Sequence, residues 1–393
     1  MTVTEILPDD EALRVARRAR VLAEMQAEGI DVLVVGREGN ARYVSGAQRL
    51  WTAGSRAFGP GCVLVRESGA VHFLSTWDEG IPEEIPHENL YGISFNSGTF
   101  VKALRWIEGA ATFKTVATDA MSPSSAGLLP KVFPAAELVD GEPLLRRVRR
   151  VKTPEEIDAI RASVRVAERS LMRAATALVP GTSERQLTAS FMEEMASAGV
   201  TTPSTQDVAW VTSREHPWRR AGRDAPVERG DLVAFQAGVL RGGYVGEVGL
   251  TYRVGDDAPA GQIAGAIDGQ IDTELSGRWN DLWDRLLGAC RIGRPLSDLL
   301  DAYEAAGVAA PPMPVARGLG LGFDLPLVTH ALPQEAAEQH AEAGMVLALT
   351  AYVWKEGVGA LYGQEPIVLT ATGPESLSSA PLSSAAFRET RSS

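Results

Sequence analysis

The chain has 393 residues, of which 45% are hydrophobic and 22% are charged. This length and composition are typical of a globular protein with two domains, and they exclude a disordered or fibrous chain. The 50 acidic residues outnumber the 38 basic ones and give a net charge of -12, which repels a phosphate backbone. We therefore predict no nucleic-acid partner.

Cysteine content and hydropathy narrow the class of protein further. Cys62 and Cys290 are too few for a disulfide framework or a zinc ribbon. The N-terminal segment lacks the apolar core of a signal peptide, and no apolar run approaches membrane-spanning length. We predict no membrane partner and a cytoplasmic location. The dense basic run at 146–152 is interpreted as a solvated hinge between domains.

The first part of the chain alternates helical and strand patterns. Residues 11–29 are predicted to form an amphipathic helix, and residues 31–36 a short buried strand that ends at glycine. Alternating segments with β-branched residues predict three more strands, at 41–46, 61–66 and 70–75. Helical spacing predicts one more helix, at 101–107. These patterns indicate an α/β domain.

A helix start marks the domain junction. Thr153 is placed to cap a helix, with Pro154 at its first position and Glu155 in its first turn. A long helix is therefore predicted from this point, and we place the junction near residue 150. After this helix we predict a second helix at 183–198 and a strand at 208–213. Two paired strands around Gln236 and Glu247 follow, and then a helical stretch at 258–306.

Four segments of this second part resemble a known family. They read GDLVAFQAGVLRGGYVGEVGLTY, ARGLGLGF, GMVLALTAYV and LYGQEPIVLT. The chain resembles the pita-bread family of creatinase, prolidase, aminopeptidase P and methionine aminopeptidase. The resemblance implies an α/β N-terminal creatinase-like domain at 1–150, followed by an α+β pita-bread domain at 151–393 with a curved antiparallel sheet.

The same resemblance locates the family's two-metal centre. The two aspartates of the family correspond by position to Gln236 and Glu247, its histidine to Leu319, and its two late glutamates to Thr350 and Gln364. Two divalent ions in one site need several carboxylates to offset their mutual repulsion. Because Glu247 is the sole carboxylate among the five, the resemblance implies a divergent member without the metal ligands. We predict no metal and no cofactor.

Two residues are candidates for catalysis by analogy with creatinase. His216 lies in a segment that resembles the loop with a substrate-contacting histidine, so we predict a general acid or base; the alternative is a surface histidine beside Pro217. Glu247 matches a position where creatinase also has glutamate, so it is predicted to orient a ligand nitrogen. The alternative for Glu247 is a structural carboxylate paired with an arginine.

The other candidates are predicted to bind substrate. Gln236, Thr350 and Gln364 would line the pocket with neutral donors and acceptors, and Leu319 would form an apolar wall. The alternative is that the polar groups only satisfy a cavity left by the lost ions.

Two arginines are predicted to bind a substrate carboxylate. Arg317 lies two residues before Leu319. Arg56 lies in a loop that in creatinase-like dimers reaches the partner's active site. Ordinary loop charges are the alternative.

The function implied is a metal-independent, creatinase-like hydrolase. It would cleave a C–N bond in a small polar compound that carries a carboxylate or an amide, with His216 as acid or base. One alternative is a metal-free lyase or other proton-transfer enzyme on the same scaffold. Another is a non-catalytic pita-bread protein that binds a ligand or a protein. A small-molecule substrate and a homodimer are expected from the resemblance.

Overall fold

A computed structural model describes residues 10–47, 61–75, 78, 80–92, 97–119, 122–205, 208–218, 225–255, 271–379 and 382. Contacts divide the chain into two compact units, Met1–Arg149 and Arg150–Ser393. Within the described ranges, none of the helices combines the length and the apolar character needed to cross a bilayer.

The first unit is an α/β structure built on a six-stranded mixed sheet. Its helices are α1 (Asp10–Ala27), α2 (Glu38–Ser45), α3 (Ser97–Arg105), α4 (Pro123–Ala126), α5 (Leu129–Val132) and α6 (Glu142–Arg150). Its strands are β1 (Val32–Val35), β2 (Cys62–Val65), β3 (Val71–Leu74), β4 (Leu90–Tyr91), β5 (Thr115–Thr118) and β6 (Glu137–Asp140). The strand order is β4-β3-β2-β1-β5-β6, with β5 parallel to β1 and β2 antiparallel to it.

Helix α1 confirms the amphipathic helix predicted at 11–29. Leu13, Arg17, Val21 and Met25 are all buried and recur every fourth residue, so they lie on one helix face. Strands β2 and β3 are also found where alternation predicted them.

The predicted strand at 41–46 is wrong, because this segment belongs to helix α2. The helix buries Ala41 and Val44 on one side and ends at Gly46, whose φ of 74° is the left-handed conformation that favours glycine. The Ser45 hydroxyl donates to the Ala41 carbonyl at 2.7 Å, as expected within a helix. Helical packing therefore overrode the strand propensity of Tyr43 and Val44.

The second unit is an α+β structure built on an antiparallel sheet. Its helices are α7 (Pro154–Thr176), α8 (Glu184–Ser197), α9 (Thr273–Ala289), α10 (Asp298–Ala305) and α11 (Pro333–Glu338). Its strands are β7 (Ala209–Val211), β8 (Leu232–Arg241), β9 (Tyr244–Arg253), β10 (Ala316–Gly320), β11 (Gly322–Val328), β12 (Val346–Lys355), β13 (Gly359–Thr370) and β14 (Gly373–Ser376). The order is β11-β10-β12-β13-β9-β8-β7, and β14 pairs with β13.

Helix α7 begins as the sequence predicts. The Thr153 hydroxyl accepts from the backbone N–H of Glu156 at 3.2 Å, and the Glu156 carboxylate accepts from the backbone N–H of Thr153 at 3.0 Å. This capping box satisfies two backbone donors that the first turn leaves without helical partners.

Glycines identify the face of the sheet that carries the helices. A Cβ on Gly246 would lie 2.3 Å from the backbone of α7, and a Cβ on Gly363 would lie 2.5 Å from the Trp279 ring of α9. Glycine at these two positions lets both helices approach the sheet closely. Because side chains alternate along a strand, Glu247 and Gln364 point to the opposite face.

Candidate functional site

The four polar positions identified from the sequence share one face of the antiparallel sheet. Gln236 and Gln364 both pair with Gly249, and Gln364 pairs with Thr350. Glu247 lies two residues before Gly249, so it shares that face. We call the face that carries Gln236, Glu247, Thr350 and Gln364 the site face.

Arg317 and Leu319 lie on strand β10, on the same side. Arg317 pairs with Ala348, which precedes Thr350 by two residues, so the two side chains point the same way. Strands β10 and β9 contact each other although β12 and β13 separate them in the sheet order. The sheet is therefore curved, and its curvature brings β10 within side-chain reach of β9.

The centre of the site face is a buried ion pair. Nη2 of Arg317 donates to Oε2 of Glu247, and the two side chains are 10% and 0% exposed. The Ser204 hydroxyl donates to Oε1 of Glu247 at 3.1 Å. Both carboxylate oxygens thus accept a hydrogen bond from the protein. Burial lowers the pKa of the Arg317 guanidinium, but arginine stays protonated in proteins, so the side chain is cationic.

Neutral polar groups surround this pair. Nε2 of Gln364 donates to the Thr350 hydroxyl at 3.3 Å. Oε1 of Gln364 and the Tyr362 hydroxyl are buried and have no hydrogen-bond partner within the described part of the chain. Burial raises the pKa of the Tyr362 hydroxyl, so it stays neutral at physiological pH. Gln236 is half-buried and reaches solvent. The site face therefore offers unused hydrogen-bonding capacity beside one neutralised carboxylate.

An aromatic cluster borders the polar groups. Trp210, Tyr352 and Tyr362 pack together with Ala234 and Ala360. The Trp210 and Tyr362 ring centroids are 5.5 Å apart. Gly363 faces helix α9, and its neighbour Tyr362 therefore points to the other side of the sheet, which is the site face. The cluster thus lies on the site face and provides an apolar wall.

The loop that carries His216 is attached to the site face. The Tyr352 hydroxyl donates to the Pro217 carbonyl, and Nε1 of Trp354 donates to the Ser213 carbonyl at 2.7 Å. The Trp218 and Tyr352 rings are 5.4 Å apart. Tyr352 and Trp354 follow Thr350 at alternate positions of β12, so they share its face. His216 itself is exposed. The predicted carboxylate-binding Arg56 lies outside the described residues.

The residues present do not fit a two-metal centre. Glu247 contributes one carboxylate, Leu319 has no ligand atom, and Gln236, Thr350 and Gln364 contribute neutral oxygens. Across the described ranges, no group of three or more histidine, cysteine, aspartate or glutamate residues could hold a metal ion. Two divalent ions need more anionic oxygen than this set provides.

Sequence reasoning missed two members of the site, Ser204 and Tyr362. Tyr362 precedes Gln364 by two residues, and strand alternation was the available signal for it. Ser204 lies in a loop, and its approach requires Gly238, where a Cβ would lie 2.1 Å from the Ser204 oxygen. No local pattern in the sequence indicates that approach.

Fold and site together define a two-domain protein of the creatinase and prolidase type. The description "Metallopeptidase family M24" matches residues 158–371, and "Creatinase/Prolidase N-terminal domain" matches residues 17–151. The chain belongs to metallopeptidase family M24. The predicted family and fold class, an α/β creatinase-like domain followed by an α+β pita-bread domain, are confirmed.

Proteins that are similar to this chain in sequence are described as peptidases. The chain is 23% identical over 239 residues to an Xaa-Pro dipeptidase of Pyrococcus horikoshii, a match that covers 60% of this chain and 63% of that protein. It is 23% identical over 284 residues to the uncharacterized peptidase YqhT of Bacillus subtilis, covering 72% of this chain and 74% of that protein.

Solved structures share the fold over nearly the whole chain. The prolidase of Pyrococcus horikoshii superimposes with a TM-score of 0.69 at 17% identity, covering 93% of this chain and 99% of that one. Aminopeptidase P of Escherichia coli, in an Asp260Ala form, gives a TM-score of 0.68 at 17% identity, covering 98% and 99%.

These comparisons correct the predicted function. The expected metal-independent, creatinase-like C–N hydrolase is wrong, because the family is a metallopeptidase family and the similar proteins include Xaa-Pro dipeptidases. The lyase and non-catalytic alternatives find no support among these relatives. The prediction followed from the replaced metal-ligand positions and from creatinase as a metal-free member of the family, whereas the relatives that match this chain are described as peptidases.

Proposed function

We propose that this protein has a peptidase function directed at short peptides of the Xaa-Pro class. The observation that carries the proposal is the family match at 158–371, which contains every strand of the site face. The Xaa-Pro dipeptidases among the similar proteins supply the substrate class.

The chemistry of the site face supports a peptide ligand. A peptide presents amide donors and acceptors, which Gln364, Tyr362 and Gln236 can meet with neutral groups. The apolar wall of Trp210 and Tyr352 suits the three methylene groups of a proline ring. Since the donors do not fit two metal ions, no catalytic step is assigned to a metal here.

His216 is proposed as the residue that donates or accepts a proton. It lies on a loop attached to the site face through Tyr352 and Trp354, and histidine is the side chain that most often serves as a general acid or base in enzymes. Glu247 is proposed as a positioning residue, because both of its oxygens already accept hydrogen bonds from Arg317 and Ser204.

The proposal is tested with a panel of Xaa-Pro dipeptides and matched Xaa-Ala dipeptides. Calorimetry measures binding, and release of free amino acid measures cleavage, each with chelator and with added Mn²⁺. We expect selective binding of the Xaa-Pro set, with release of proline.

Replacing His216 by Ala should abolish cleavage and preserve binding, whereas His340→Ala, an exposed histidine elsewhere in the second unit, should change neither. Binding without cleavage would remove the peptidase part of the proposal. Failure to bind any peptide would remove the whole of it.

A homodimer and a cytoplasmic location remain proposals from the sequence. Light scattering of the purified chain tests the first, and fractionation of the source cells tests the second.

A further inference from the structure

We propose that Arg317 is a built-in cation that stands in for the metal pair, so that this site face excludes divalent ions. The proposal does not rest on the peptidase proposal. It starts from the disagreement between the family's two-metal chemistry and the donor set of this chain.

Charge balance is the first support. In the family pattern four carboxylates offset two divalent ions, and the site is close to neutral. In this chain only one of those four positions still carries a carboxylate, Glu247, and the guanidinium of Arg317 pairs with it. A buried charge is strongly unfavourable unless it is paired and hydrogen-bonded. Glu247 is fully buried, so it needs a cation, and Arg317 supplies it.

Geometry is the second support. Arg317 reaches Glu247 from a strand that is separated from β9 by two other strands, and the curvature of the sheet makes this contact possible. The Ser204 hydroxyl occupies the other carboxylate oxygen at 3.1 Å. A divalent ion that bound Glu247 would have to displace one of these partners. It would also lie beside a guanidinium that it repels.

The decisive experiment restores the family's ligands with and without Arg317. The restored variant carries Gln236→Asp, Leu319→His, Thr350→Glu and Gln364→Glu on the full chain. A second variant adds Arg317→Met, and a third adds Arg317→Lys as a matched control that keeps the positive charge. Binding of Mn²⁺ and Zn²⁺ is measured by calorimetry, and bound metal is counted by elemental analysis after dialysis.

We expect wild type to retain less than one ion per chain. The restored variant with Arg317→Met should bind Mn²⁺ at least about tenfold more tightly than the variant that keeps Arg317, which is a difference of about 1.4 kcal/mol. The restored variant with Arg317→Lys should bind Mn²⁺ as weakly as the restored variant that keeps Arg317. Equal affinity with and without the arginine would overturn the proposal, as would two tightly bound ions in wild type.

Circular dichroism and melting curves check that each variant is folded. If the variants with four restored ligands do not fold, a simpler pair of variants repeats the comparison. One carries Leu319→His alone, and the other carries Leu319→His together with Arg317→Met. The free Mn²⁺ signal in electron paramagnetic resonance then reports binding. A decrease of that signal that is the same in both proteins contradicts exclusion by Arg317, and a larger decrease without the arginine supports it.

Discussion

Replacing Arg317 by Met should destabilise the second unit strongly. The change leaves the Glu247 carboxylate, which is fully buried, with the Ser204 hydroxyl as its remaining hydrogen-bond donor among the contacts described above. Removing one partner of a buried pair costs about 3–5 kcal/mol. For a unit of 150–250 residues, each kcal/mol corresponds to roughly 2–4 °C in Tm, so we expect a decrease of roughly 6–20 °C at neutral pH.

The pH dependence of this effect has a defined sign. Without Arg317, burial should raise the pKa of Glu247 in the folded variant above its unfolded value. A group with a raised folded pKa contributes stability below its unfolded pKa, and that contribution is lost as the pH rises through the folded pKa. The difference in Tm between wild type and variant should therefore be small near pH 4 and widen toward pH 8.

Thermal melts from pH 4 to 8, followed by circular dichroism, measure this effect. The double variant Glu247→Gln with Arg317→Met should recover most of the loss, because no unpaired charge remains. Arg294→Met, which removes an exposed pair with Asp298, is the matched control and should melt close to wild type. A variant Arg317→Met that melts within about 2 °C of wild type at all pH values would refute the reasoning.

Four further variants test other parts of the second unit. Burial raises the pKa of Glu365 from 4.5 to about 7, so stability should fall by about 3 kcal/mol between pH 4.5 and about pH 7, and Glu365→Gln should remove this dependence in pH-resolved melts. Gly249→Ala would place a Cβ 2.3 Å from the Tyr362 ring and should cost about 1–3 kcal/mol in denaturant unfolding. Gly277→Ala, inside a helix with no atom within 4 Å, should instead stabilise by about 0.5–1 kcal/mol. Thr153→Ala removes the helix cap and should cost about 1 kcal/mol by the same assay.

Features that depend on neighbouring residues were predictable from the chain. The start of α7 follows from Thr153, Pro154 and an acidic first turn, since capping is decided within four residues. The spacings of Gln236 to Glu247 and of Thr350 to Gln364 follow the register of paired strands, so their common face follows from alternation. Propensity failed where packing overrode it, as in the helical segment around Tyr43.

The partners of buried charges were decided by the tertiary structure. The basic run at 146–152 was interpreted as solvated, yet Lys152 is buried with its Nζ 3.0 Å from a carboxylate oxygen of Asp324. These two residues are far apart in sequence, and no local pattern relates them.

For this protein, the sequence by itself determined the family, many of the helices and strands, and the common face of Gln236, Glu247, Thr350 and Gln364, but not the contributions of Ser204 and Tyr362. The tertiary structure alone decided that Arg317 meets Glu247, because the contact depends on how far the sheet curves across two intervening strands. Curvature results from the packing of whole elements, whereas capping and alternation act between near neighbours.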